Sequence, residues 1–195
     1  MSAGRPIQLP LGIKLRDEAT FASYYPGPNA GVLAATQAFA EPQSSIEECC
    51  LYLWGSEGTG RTHLLQAACH ALADVGGLAM YLPLDELVEE GPLLLEGMES
   101  VDLLCLDKLE AVAGRPDWEE ALFHLYNRLR EQGSRLLVAA VAAPRALGLQ
   151  LPDLASRLGW GLVFQLQPLD DAGKQEVLKL RAAQRGLQLT DEVAR

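Results

Sequence analysis

Five short apolar runs punctuate this chain: CCLYLW (49–54), LAMYLPL (78–84), VDLLCLD (101–107), RLLVAAV (135–141) and GLVFQL (161–166). Each has strand length, and most are apolar throughout rather than alternating, as in a parallel sheet covered on both faces. Between them the spacing turns helical. RTHLLQAACHALADVGG (61–77) places apolar residues at 64, 65, 68, 72 and 75 and closes on glycines. PDWEEALFHLYNRLREQG (116–133) opens with proline and acids and ends with Arg130, Gln132 and Gly133. DDAGKQEVLKLRAAQRG (170–186) repeats that design. Strand–helix alternation predicts an α/β fold: an open five-stranded parallel sheet between helices. Residues 1–28 carry Pro6, Pro10, Pro26 and Pro28 and read as irregular.

Composition narrows the function classes. The chain has 195 residues, 49% of them hydrophobic, which is enough to fill one core. No run of about 18 apolar residues occurs, so no membrane-spanning helix is expected, and the start MSAGRPIQLPLGIK lacks the pattern of a secretory signal. A cytoplasmic protein is the expectation. With 26 acidic against 16 basic residues the net charge is −10, which argues against a sequence-independent grip on DNA or anionic lipid. Cys49, Cys50, Cys69 and Cys105 show no C-x-x-C spacing and read as reduced, buried thiols.

The strongest chemical signal is GSEGTGRT: Gly55, Ser56, Glu57, Gly58, Thr59, Gly60, Arg61 and Thr62, set between an apolar strand and an amphipathic helix. It fits the phosphate-loop pattern G-x-x-x-x-G-K-[ST], except that arginine replaces lysine. Glycines let successive N–H groups turn inward, the helix aims its positive dipole end at phosphate, and Thr62 offers a hydroxyl where Mg²⁺ sits. Arginine keeps the charge as a planar fork, which favours holding nucleotide over turning it over.

Asp107 ends the third apolar run, where open α/β sheets bind ligands, and so suits the Mg²⁺ shell beside the loop. Hydrolytic relatives carry a second acid directly after it. Here Lys108 stands there, and Glu110 reads as nearby but on a different register. The fourth run ends in Val141, Ala142 and Ala143, without the polar sensor residue usual at that point. Slow hydrolysis at the chain's own site is therefore expected. His63 and His70 lie seven apart on one helix, a poor spacing for a metal site. Trp118, Phe123 and Tyr126 read as core or interface packing.

Together the loop, the Asp107 strand and LPDLASRLGWG (151–161) resemble the AAA+ ATPases of replication initiation. Within them the chain is similar to the regulatory inactivators of the initiator DnaA. QLPLGIKL (8–15), DEATFASYYPGPN (17–29), LYLWGSEGTGRTHLLQAAC (51–69) and LYNRLREQGSRLLV (125–138) carry the likeness, which runs from about Gln8 to Arg195.

The resemblance implies a protein that binds ADP or ATP with Mg²⁺ held through Thr62 and Asp107. It implies docking on the sliding clamp, the DNA polymerase III beta subunit, through Gln8, Leu9, Leu11 and Ile13. It further implies that Arg157 acts as an arginine finger in trans, stimulating hydrolysis of DnaA-bound ATP, with DNA reached only indirectly through the clamp and dimerisation left open. The corresponding division is a tail and entry segment (1–28), an AAA+ nucleotide-binding base domain (29–189) and the start of a helical lid (190–195) that is missing or truncated. Two other readings remain: a P-loop ATPase working as a replication loader or remodeller, and an interaction scaffold whose phosphate loop holds no nucleotide.

Overall fold

The structure, a computed structural model, describes residues 15–42, 47–184 and 186–187. The clamp-segment residues Gln8, Leu9, Leu11 and Ile13 and the expected lid start at 190–195 lie outside the described residues. Five parallel strands follow the five apolar runs: β1 (Cys50–Trp54), β2 (Ala79–Pro83), β3 (Leu103–Asp107), β4 (Arg135–Ala140) and β5 (Leu162–Gln165). Their order across the sheet is β2-β3-β4-β1-β5.

Helices α1 (Ala30–Ala40) and α2 (Arg61–Asp74) cover one face of the sheet. There Val32, Phe39, Leu64, Leu65 and Leu72 meet Leu51, Leu53, Leu103 and Leu137. The opposite face is covered by α3 (Leu84–Leu87), α4 (Pro116–Gln132) and α5 (Pro152–Trp160), whose Leu84, Trp118, Leu122 and Leu158 pack on Tyr52, Leu104, Leu106 and Val138. A sixth helix, α6 (Asp171–Gln184), follows β5. The faces obey the handedness of parallel crossovers. The one step that runs from the centre to the far edge, β1 to β2, passes through α2. The steps in the opposite direction put their connections on the other face.

Two differences from the sequence reading are physical. Helix α1 carries no visible polar–apolar stripe because AGVLAATQAFA is mostly small residues, yet Val32, Thr36, Phe39 and Ala40 are buried on one side. Helix α2 ends at Asp74 rather than at the glycines, since Val75 leaves helical geometry before Gly76 (φ 82°) turns the chain. Strand β5 is an edge strand and alternates half-buried with exposed residues.

The turn before α1 is stitched to the chain after β5. The Asn29 side-chain amide donates to the carbonyl of Gln167 (2.9 Å), and its oxygen accepts from the Gln167 N–H (2.8 Å). All four cysteines are free; Cys50, Cys69 and Cys105 are buried, and burial pushes the Cys50 and Cys105 thiols up. Among the described residues no helix is long and apolar enough to cross a membrane.

Candidate functional site

Because all strands are parallel, the turns after β1, β3 and β4 open on the same sheet end, with β1 and β4 as neighbours. That end holds a cleft of about 470 Å³, lined by phosphate-loop residues Glu57, Gly58, Gly60, Arg61 and Thr62, with Lys108, Glu110 and Val141 from the other strand ends. Arg16, Ser23 and Arg181 close it from the N-terminal segment and from α6. Ligands of open α/β sheets sit at such a crevice.

The loop has the backbone that phosphate binding requires. Gly58 (φ 79°) and Gly60 (φ 93°) lie in the left-handed region, and a Cβ on Gly60 would stand 2.7 Å from the Tyr24 ring. Gly55 donates to Ala140 O (3.3 Å), which anchors the loop to β4. Thr59 is buried; its hydroxyl donates to Ser56 O (2.8 Å), while Tyr24 donates to Thr59 O (3.4 Å). Burial pushes the Tyr24 hydroxyl up to about 12, so it stays a neutral donor. Helix α2 starts at Gly60 with no side-chain cap, leaving its first N–H groups aimed at the cleft end. The Arg61 side chain is buried along the loop, and its Nη1 has no hydrogen-bond partner.

Thr62 and Asp107, separated by 45 residues in sequence, meet directly: the Thr62 hydroxyl donates to Asp107 Oδ2 at 2.6 Å. Tyr81, from β2, donates to the same oxygen at 2.7 Å, and the Lys108 N–H donates to Oδ1 at 3.0 Å. Burial first, and then the Asp107 charge, pushes the Tyr81 hydroxyl up, so it remains protonated. Tyr81 was not visible as a site residue; its only trace is a tyrosine in an otherwise aliphatic run.

Lys108 adopts φ 56°, the one positive φ outside glycine among the described residues, and its ammonium pairs with Asp85. The side chain following Asp107 thus lines the cleft with its charge paired to the exposed Asp85. Glu110 corrects the sequence reading. It is not displaced by register but enters the cleft, where Oε1 lies 3.8 Å from Arg61 Nη1 and Oε2 accepts from the Val141 N–H at 3.1 Å. The short turn Leu109–Ala111 rotates it back toward the loop, which a linear count of residues does not reveal.

His63 and His70 serve the entry segment. His63 Nε2 donates to Thr20 O (2.8 Å) and lies 3.2 Å from the Ser23 hydroxyl; His70 Nε2 lies 3.1 Å from Arg16 O. Among the described residues no group of three or more His, Cys, Asp or Glu is placed to hold a metal by itself. A magnesium ion would need nucleotide oxygens to complete its shell. The donors that fit it are Thr62 and Asp107, and the orphaned Arg61 Nη1 together with the open helix start fits phosphate.

Arg157 is on α5, outside the residues that line this cleft. Its guanidinium carbon stands 4.9 Å from the Trp160 ring centre and 5.9 Å from that of Phe123, and Trp160 is 64% exposed. Helix α5 is held by Glu119, a buried carboxylate of α4 that accepts from Gly114 N (2.6 Å), Gln150 N (3.1 Å) and Leu151 N (2.7 Å). Trp118 and Tyr126 are core residues, whereas Phe123 is half-buried beneath Arg157.

Residues 88–165 match the family model described as the bacterial DnaA ATPase domain, a segment that includes Asp107 and Arg157 but not the phosphate loop. Among solved structures the chain is similar to domain III of the replication initiation protein DnaA from Thermotoga maritima. The TM-score is 0.81 at 23% identity, covering 93% of this chain and 80% of that one. It is similar to AMPPCP-bound DnaA from Aquifex aeolicus, with TM-score 0.76 and 26% identity over 93% of this chain and 60% of that one. It is also similar to a replication initiator DnaA bound to AMPPCP and single-stranded DNA, with TM-score 0.77 and 25% identity over the same shares. The chain therefore spans 60% of the length of these two initiators. Its five-stranded α/β fold is the AAA+ fold of DnaA domain III.

Proposed function

We propose that this DnaA-like AAA+ ATPase domain is a regulator of replication initiation of the Hda kind, which holds a nucleotide in its own cleft and acts on the ATP of a DnaA neighbour. The observation that carries the reading is the placement of Arg157: a guanidinium on α5, steadied by Trp160 at 4.9 Å and outside its own phosphate cleft. An arginine outside the cleft of its own chain supports a role toward the nucleotide of an adjoining subunit. A guanidinium brought against a neighbour's γ-phosphate stabilises the charge that builds in the transition state, an effect worth about 10³–10⁵ in rate.

The residues divide the work. The N–H groups of Gly55, Ser56, Glu57, Gly58, Thr59 and Gly60 cradle the phosphates, and Arg61 supplies the charge. Thr62 and Asp107 would hold a Mg²⁺ arriving with ADP or ATP, which would neutralise phosphate charge. AMPPCP in the two DnaA relatives supports an adenine nucleotide here. Residues 29–189 form the nucleotide-binding unit and 1–28 the tail and entry segment; Gln8, Leu9, Leu11 and Ile13 in that tail would anchor an extended strand on the sliding clamp. DNA is then reached through the clamp rather than by massed basic residues. The orientation of Lys108 toward Asp85 and the absence of a polar side chain at Val141 support a regulatory role over self-sufficient turnover.

Turnover of DnaA-bound ATP with clamp-loaded DNA tests the reading. Arg157→Ala and a Gln8/Leu11 double alanine are both expected to lose most of the stimulation. Full activity in both overturns it.

A further inference from the structure

Asp107 is buried, and no salt bridge among the described residues involves it. A carboxylate so placed depends on hydrogen-bond donors. Three reach it, and they differ in origin. The Lys108 N–H, 3.0 Å from Oδ1, belongs to the next residue and turns with the same stretch of chain. The Thr62 hydroxyl, 2.6 Å from Oδ2, opens α2 and is itself one of the oxygens that fit a metal ion. The Tyr81 hydroxyl, 2.7 Å from Oδ2, comes from the neighbouring strand β2.

Tyr81 is fixed by parts of the fold that lie away from the cleft. Strands β2 and β3 pair with Tyr81 opposite Cys105 and Pro83 opposite Asp107. Side chains alternate along a strand, so Tyr81 and Asp107 project from the same face of the sheet. The Tyr81 ring belongs to the buried cluster that holds Leu65, Cys69 and Cys105. Gln66, one helical turn after Thr62 on α2, is buried as well; its Oε1 accepts the Arg16 N–H at 3.2 Å, and its amide acts on the Tyr81 hydroxyl. A hydroxyl carries one proton, so an amide donor on its oxygen leaves that proton for Asp107.

We propose that Tyr81 is a positioning residue for the metal–nucleotide complex, its hydroxyl tying the Asp107 carboxylate to the β2–β3 register so that the acid is held in one orientation for the cation. Tyr81 is not among the residues that line the cleft, so it acts through Asp107 and not on the nucleotide. Hydrogen-bond partners orient metal-binding carboxylates in this way, and losing one typically costs about 10–100-fold in metal affinity. This role rests on the nucleotide-binding reading above and adds the residue that steadies its metal ligand.

Calorimetric titration of the full chain with ADP, once with Mg²⁺ and once with divalent ions chelated, tests it. The wild type is expected to bind ADP more tightly with Mg²⁺. Tyr81→Phe keeps the ring and removes the hydroxyl. It should remove most of the gain given by Mg²⁺, a loss of about tenfold, the lower end for such a partner. Its affinity without the ion should change by less than about twofold, and in an Asp107→Asn background the substitution should change neither affinity by more than that. Thermal unfolding without nucleotide checks that each variant is folded. An equal loss with and without Mg²⁺ would make the hydroxyl a structural element of the cleft, and overturns the proposal. So does an unchanged gain from Mg²⁺, a full effect in the Asp107→Asn background, or a Tyr81→Phe chain that does not fold. If the wild type binds ADP equally with and without Mg²⁺, the assignment of the ion to Thr62 and Asp107 fails, and the role of Tyr81 with it. If it binds no ADP at all, the nucleotide-binding reading itself fails.

Discussion

The carboxylate of Glu119 accepts the N–H of Leu151 at 2.7 Å from inside the protein, across 32 residues of sequence. The same group also takes Gln150 N and Gly114 N, so one buried acid of α4 positions the loop that launches α5 and, with it, Arg157. Glu119→Ala would leave three N–H groups unpaired. A loss of about 3–5 kcal/mol is expected in denaturant unfolding, in the range for breaking a buried charged network. A loss below about 1 kcal/mol would mean that water or relaxation replaces the acid.

Trp160 offers a cleaner separation of stability from function. It is 64% exposed, so Trp160→Ala should change stability by no more than about 0.5 kcal/mol. It also removes the ring under Arg157, a contact worth about 0.5–1 kcal/mol at an exposed site. Stimulation of DnaA-bound ATP hydrolysis should fall a few-fold while the melting temperature holds. Unchanged stimulation would remove Trp160 from the positioning of Arg157.

The Thr62–Asp107 contact predicts how nucleotide stabilises the protein. A ligand that binds only the native state raises stability by mass action. Asp107→Asn should abolish the Mg²⁺-dependent part of the thermal shift given by ADP or ATP, and Thr62→Val should reduce it. A full shift in both variants would place the ion elsewhere. No shift in the wild type at millimolar nucleotide would favour the scaffold reading.

Hydrolysis by the isolated chain should be well below one turnover per second, far under the usual enzyme median of about 10 per second. Lys108 is paired with Asp85, and the Val141 N–H is already taken by Glu110. Phosphate release from the purified protein measures this directly, and turnover near one per second would restore the ATPase reading.

Acid should loosen the entry segment through His63. Burial lowers its pKa below 6.5; the hydrogen bond to Thr20 O opposes this, Arg181 and Arg16 add to it, and Glu18 acts against it. The unfolded chain therefore takes up the proton first as pH falls. The stability that His63 confers is complete above about pH 6.5 and declines below it, toward the lowered folded value. Unfolding followed between pH 7.5 and 5.5 should show this decline, and His63→Gln should flatten it. An identical slope in the variant would assign the effect to another group.

Local rules carry far along this chain, because a strand, an amphipathic helix and a glycine-rich turn are each specified by residues that are neighbours in sequence. The five apolar runs, the helices over 61–74 and 116–132, and the loop from Gly55 to Thr62 are legible on that basis. Even the meeting of Thr62 with Asp107 follows from the rule that parallel strands share one end. What only the tertiary structure decided are pairings that no local rule governs: Tyr81 on Asp107, Glu119 beneath Leu151, and above all Glu110 beside Arg61. Each depends on which strands are adjacent and on how a turn rotates one side chain. A single turn at Leu109–Ala111 separates a bystander from an acid inside the cleft, since the buried charge of Arg61 finds its partner wherever the packed fold delivers it.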